Sequence, residues 1–68
     1  MMAARNPRRD PVPGDVLEHP FGVHKVREVR SGVVYYWDDG LIDFVPLDRW
    51  REWYVDKRDC RVIKRGDA

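Results

Sequence analysis

The stretch Val33-Val34-Tyr35-Tyr36-Trp37-Asp38-Asp39-Gly40-Leu41-Ile42-Asp43-Phe44-Val45 decides the fold class. Its first five residues are all β-branched or aromatic, the types that fit a pleated, half-buried surface. Asp38-Asp39-Gly40 follows as a hairpin loop, because Asp-Gly tolerates the positive φ angles a tight turn demands. Leu41 to Val45 reads as the returning strand, with Ile42 and Phe44 on one face and Asp43 on the other.

Working outward from this hairpin, each flank supplies further short apolar segments broken by glycine or proline. Ser31-Gly32 is a turn. Val23 to Val29 is extended, and its valines at 23, 26 and 29 fit a strand with a bulge, with a short helix as the alternative. Pro20-Phe21-Gly22 is a break, and Asp15 to His19 is a first strand after Pro13-Gly14. On the other side Pro46 ends the strand. Asp48 is placed to cap a short helix over Arg49 to Tyr54. Leu47, Trp50 and Tyr54 share one face of that helix and Trp53 projects elsewhere. Cys60 to Lys64 closes the set as a strand with Cys60 and Val62 on one face. The expected core is Leu17, Val26, Val29, Val34, Tyr36, Ile42, Phe44, Leu47, Trp50 and Val62.

A chain of 68 residues is one small domain, and domains of this size bury only about 60% of their unfolded surface. The single cysteine excludes an internal disulfide, and two histidines with one cysteine make a poor zinc set. The apolar run Val33 to Trp37 is far too short to cross a membrane as a helix. Met1 to Arg9 has charge but no apolar segment of the secretory kind. These features describe a soluble, cytoplasmic, single-domain protein. Residues 1–13, with three prolines and several arginines, read as a disordered basic arm; residues 14–64 form the folded unit; residues 65–68 are a frayed end.

The net charge of +1 hides a pattern. Basic residues gather at the two ends, and the middle is acidic, with Asp38, Asp39 and Asp43 close together. Arg8 and Arg9 in the arm, with Arg58, Arg61, Lys64 and Arg65 near the C-terminus, are the candidate phosphate contacts if the chain binds nucleic acid. A near-neutral chain lacks the overall basic field of a typical nucleic-acid binder, so that use is the less favoured one.

Five short strands with one helical turn before the last describe a mainly β fold, a small, strongly bent barrel of the SH3-like layout. At Gly14-Asp15-Val16-Leu17-Glu18-His19-Pro20-Phe21-Gly22 the sequence resembles the opening of Tudor/SH3-like modules in bacterial transcription and repair proteins. Examples are the C-terminal domain of the UvrD/PcrA helicases and the RNA-polymerase-interacting domain of the CarD and transcription-repair coupling factor family. Val26 and Val29, Val34 and Tyr36, and Asp39-Gly40 occupy matching places, so the resemblance covers roughly residues 14 to 47. The chain is also similar to small phage and prophage proteins of its size. The resemblance implies a docking barrel acting on RNA polymerase or another nucleic-acid-processing protein, with no catalysis and no cofactor.

The catalytic constellations are weak. His19 and His24 lie five apart across a turn, and are expected to be a turn residue and a surface strand residue, not metal ligands. Cys60 sits in an alternating strand, where cysteine behaves as a small hydrophobe. The acidic group around the hairpin lacks calcium-loop spacing. An enzyme would need a site formed between protomers of a homo-oligomer.

The eight aromatic residues exceed what one small core needs. Strand alternation sends Tyr35 and Trp37 to the face opposite Val34 and Tyr36. Tyr35, Trp37 and Trp53, rimmed by Asp38 and Asp39, are the candidate protein-binding residues, since exposed aromatic groups among charges are the usual composition of a binding hot spot. The same rings could self-associate, form an aromatic cage for a methylated cation with Asp38 or Asp39 as counter-charge, or stack on single-stranded bases.

Overall fold

Two hairpins with two-residue loops organise the sheet. Ser31 and Gly32 have φ of 52° and 74°, and Asp39 and Gly40 have φ of 51° and 82°. Positive φ at both central residues is the turn whose twist matches that of the strands it joins. In the computed structural model, which describes residues 5–20, 22–55 and 60–67, these turns link β2 (Gly22–Arg30) to β3 (Val33–Asp38) and β3 to β4 (Leu41–Pro46). β1 (Val16–His19) precedes them; helix α1 (Leu47–Tyr54) and β5 (Arg61–Lys64) follow. All pairings are antiparallel in one five-stranded sheet of order β4-β3-β2-β1-β5. The fold is therefore mainly β with one short helix. β4 and β5 lie at opposite ends of this order, so the sheet is open, not the closed barrel expected.

The register of β2 slips between Val26 and Glu28, which is the bulge that the valine spacing implies. Helix α1 begins two residues earlier than expected. Asp48 lies inside its first turn and does not cap it; Pro46 occupies the cap position without a side-chain hydrogen bond. Trp50 and Tyr54 are buried on the face of α1 that meets the sheet.

The core is Leu17, Val26, Val34, Tyr36, Val45, Trp50, Tyr54 and Cys60, with Val29, Leu47, Trp53 and Val62 packed against it. Ile42 and Phe44, expected inside, are 44% and 66% exposed. The two-residue loop explains this. It sets Asp38 opposite Leu41, hence Tyr36 opposite Asp43 and Val34 opposite Val45, so odd-numbered β4 residues face inward with even-numbered β3 residues.

Residues 5–13, expected as an arm apart from the core, pack on it. Pro7 and Pro11 are buried. The Trp50 indole N–H donates to the Pro7 carbonyl at 3.2 Å. Arg51 Nε donates to the Arg9 carbonyl at 2.8 Å. Arg5 forks onto both oxygens of buried Asp15, at 2.6 and 2.9 Å. The C-terminal residues 65–67, expected to fray, join the same clamp: the Gly66 N–H donates to Asp15 Oδ1 at 2.7 Å. A Cβ at Gly66 would lie 2.1 Å from the Pro13 carbonyl oxygen, so this close approach requires glycine.

Candidate functional site

The outer face of the hairpin β3–β4 carries the largest exposed rings. Tyr35 lies opposite Phe44, and Trp37 opposite Ile42. Leu47 donates its N–H to the Gly32 carbonyl at 2.8 Å. Alternation from that bond makes both cross-strand pairs non-hydrogen-bonded ones, in which side chains approach most closely. The Tyr35 and Phe44 ring centroids are 6.1 Å apart. Trp37 is 38% exposed, so four apolar side chains form one stripe along the end of the sheet. Toward β2 the stripe meets two cations: Lys25 lies opposite Trp37, and the Arg30 guanidinium sits 5.5 Å from the Tyr35 ring centre.

β4 is an outer strand of the sheet. By the same alternation, the backbone groups of Ile42, Phe44 and Pro46 point away from β3. Pro46 has no N–H, and the Phe44 N–H is taken by Asp43 Oδ1 at 2.8 Å. These are the devices by which an outer strand is blunted against pairing with another chain. The edge is thus blunted at Phe44 and Pro46.

A second cluster sits on the inner face at the same end. His19, His24 and Asp38 come from β1, β2 and β3. His24 lies opposite Leu17 on one side and Asp38 on the other, so all three share the inward parity. His24 is buried, not the surface residue expected. Its ring centroid lies 4.4 Å from that of Tyr36 and 6.1 Å from that of Trp53. Its Nδ1 is 2.8 Å from the Tyr54 hydroxyl. Its Nε2 is 3.3 Å from His19 Nε2 and 3.7 Å from Asp38 Oδ2. Burial lowers the His24 pKa, helped by His19 and opposed more weakly by Asp38 and Asp43. Burial also pushes the Tyr36 phenol up to about 12 and raises that of Tyr54.

The five expected docking residues are thus divided. Tyr35 and Trp37 face outward together. Asp38 belongs to the histidine cluster on the opposite face, and Asp39 is exposed in the turn. Trp53, expected outward, is half-buried against Tyr36, 6.2 Å away and edge-on. The cage combining Tyr35 or Trp37 with Asp38 is therefore not assembled.

The basic candidates are dispersed as well. The Arg8 guanidinium donates to the Cys60 carbonyl. Arg9 is exposed and offers its carbonyl to Arg51. Arg61 pairs with Glu18 at 2.8 Å and Arg65 with Asp67 at 3.2 Å. Lys64 is exposed on β5, and Arg58 lies outside the described residues.

Sequence reasoning missed Phe44 and Ile42 as surface groups and His24 as an interior one. For Ile42 and Phe44 the signal was present in the hairpin arithmetic, because a two-residue loop fixes which strand positions share a face; His24 is turned inward by the register shift between Val26 and Glu28, which loop length does not give. Comparison with protein-family models, with curated proteins and with solved structures finds no match to this chain. No helix among the described residues is long and apolar enough to cross a membrane.

Proposed function

We propose that the chain is a non-catalytic protein-interaction module that docks its partner on the outer face of β3–β4. The observation that carries this reading is the stripe on the outer face of the hairpin, where Trp37, Ile42 and Phe44 are exposed and the half-buried Tyr35 lies beside Phe44. Isolated exposed apolar residues are ordinary, but a contiguous aromatic stripe is the composition of a docking surface. The blunted edge of β4 argues against strand addition. The partner is then a protein segment that lays an apolar side on the rings and acidic groups on Lys25 and Arg30.

An SH3/Tudor-like identity for the fold draws support from the strand order β4-β3-β2-β1-β5 and from the single helix between β4 and β5. With the resemblance over residues 14 to 47, that reading favours a nucleic-acid-processing protein such as RNA polymerase as the partner, and a cytoplasmic setting of phage or prophage kind. The nucleic-acid alternative draws less support, because Arg8, Arg61 and Arg65 are engaged within the chain.

Capture from a bacterial lysate tests the proposal. The wild-type chain should enrich one protein that Phe44→Ser loses and that Arg27→Ala, on β2, retains. Circular dichroism should show all three chains folded. A captured set that is the same for wild type and folded Phe44→Ser removes the outer face as the docking surface.

A further inference from the structure

The inner-face cluster is separate from the docking stripe and ties the sheet to the last turn of α1. We propose that His24 is an acid-operated latch: neutral, it keeps the end of α1 shut on the sheet, and protonated, it frees that turn. Both of its ring nitrogens are engaged. Nδ1 lies 2.8 Å from the Tyr54 hydroxyl on α1, and Nε2 lies 3.3 Å from Nε2 of His19 on β1. Tyr54 is 1% exposed, so this hydroxyl is sealed from solvent.

The helix is what closes over the ring. Trp50, Trp53 and Tyr54, all on α1, stand 6.2, 6.1 and 6.2 Å from the His24 ring centre. Tyr36 lies on the sheet side at 4.4 Å. A neutral imidazole donates from one nitrogen and accepts at the other. The chain Tyr54–His24–His19 uses one of each in whichever direction it runs. A second ring proton turns the acceptor into a donor and sets it against the O–H or N–H it had accepted. It also leaves a charge among aromatic rings, where burial penalises the charged form. Swinging the last turn of α1 away returns the ring to water, so the cost of protonation becomes a force for opening.

The charged and titratable neighbours set the sign. His19 on β1 faces Nε2, and its positive form repels a second charge. Asp38 on β3, with Oδ2 3.7 Å from Nε2, and Asp43 on β4, opposite Tyr36, attract one. The phenols of Tyr36 on β3 and Tyr54 on α1 are raised by burial and stay neutral. Burial and His19 outweigh the two carboxylates, and the His24 pKa lies below its ordinary value. In the opened turn the ring recovers a value of about 6.5. Above that pH both forms are neutral and the latch is shut. Below it, each pH unit favours opening by up to about tenfold, until the closed form takes up the proton as well.

Amide hydrogen exchange followed by NMR tests the latch. The Val55 N–H, which donates to the Arg51 carbonyl at 2.8 Å, reports on the last turn. Its protection, corrected for the intrinsic exchange rate, should fall by up to about tenfold from about pH 6.5 to about pH 5.5, while the amides of β3 hold theirs. Asp15, whose burial is outweighed by Arg5 and two backbone donors, stays ionised over this range, so the terminal clamp is not what changes. Folded His24→Gln, which keeps a donor and an acceptor but cannot titrate, should show no such fall. The His24 ring of the wild-type chain, followed in the same samples, should titrate below about 6.5. Val55 protection that stays level across the range overturns the latch, as does a fall undiminished in folded His24→Gln. Should that variant not fold, the ring titration decides: a His24 that titrates at or above about 6.5 would make protonation favour the shut form and end the proposal.

Discussion

Asp15 is a buried carboxylate held by three partners. It takes both prongs of Arg5, the N–H of Val12 at 2.8 Å and the N–H of Gly66 at 2.7 Å. Burial pushes its pKa up, but Arg5 and the two backbone donors outweigh burial and hold it below the ordinary carboxylate value. A carboxyl whose pKa is depressed in the folded state adds stability above its unfolded pKa, about 3.9, and loses it as the pH falls through and below that value. Arg65, then Arg5, hold exposed Asp67 low as well, in the same direction. Urea midpoints should therefore fall as the pH is lowered from about 5 to about 2, and Asp15→Asn should show a shallower fall. A wild-type midpoint that stays level across that range would show that the charge of Asp15 does not hold the fold. Little of this was legible in the sequence. Gly14-Asp15 reads as the start of a strand, whereas Arg5 and Gly66, which tie both ends of the chain to Asp15, lie ten residues before it and fifty-one after, and no local pattern announces them.

The β3–β4 hairpin shows what local reasoning can reach. Strand composition and Asp-Gly suffice to place both strands and the turn to within a residue. The facing of β3 followed from alternation. That of β4 was misread because the apolar pair Ile42 and Phe44 looked like a core face, when the loop length had already put Val45 inside opposite Val34. Hydrophobicity cannot distinguish an outward apolar stripe from an inward one; register can. The assignment is open to a stability comparison. Val45→Ala should cost on the order of 1.5–3 kcal/mol, the worth of a fully buried valine side chain. Phe44→Ser removes a larger side chain from the surface and should stay within about 0.5 kcal/mol. Chemical denaturation of the two variants decides the matter: a larger loss for Phe44→Ser would mean that the ring is covered within the folded chain. The helix was legible to a similar degree. Its buried face, Trp50 and Tyr54, followed from spacing, but its start did not, because the first turn opens directly from the strand at Pro46 without a side-chain cap.

At the scale of the whole molecule, the termini complete the fold. The sheet is open between β4 and β5, and a domain this small has little core to spare. Trp50 lies at the centre of that core, and its indole N–H, which would be costly to leave unpaired in the interior, is satisfied by the carbonyl of Pro7. Arg51 on the same helix reaches Arg9 and Asp10, at 2.8 and 3.1 Å. The proline-rich start is thus a strap laid over α1, and Arg5 locks its beginning to Asp15. Composition alone reads such a segment as disordered, since prolines and arginines with little apolar content between them give no periodic signal. What holds it is hydrogen bonding to distant groups, which composition does not record. Deleting residues 1–13 would leave Asp15 without Arg5. Breaking a buried pair by removing one member costs about 3–5 kcal/mol, a large share of the roughly 5–15 kcal/mol by which domains are stable. The truncated chain should therefore lose cooperative thermal unfolding, or melt well below the full chain, when both are followed by circular dichroism. A loose arm makes the opposite prediction, that melting is unchanged, so coincident curves for the two chains would return residues 5–13 to the role of an appendage.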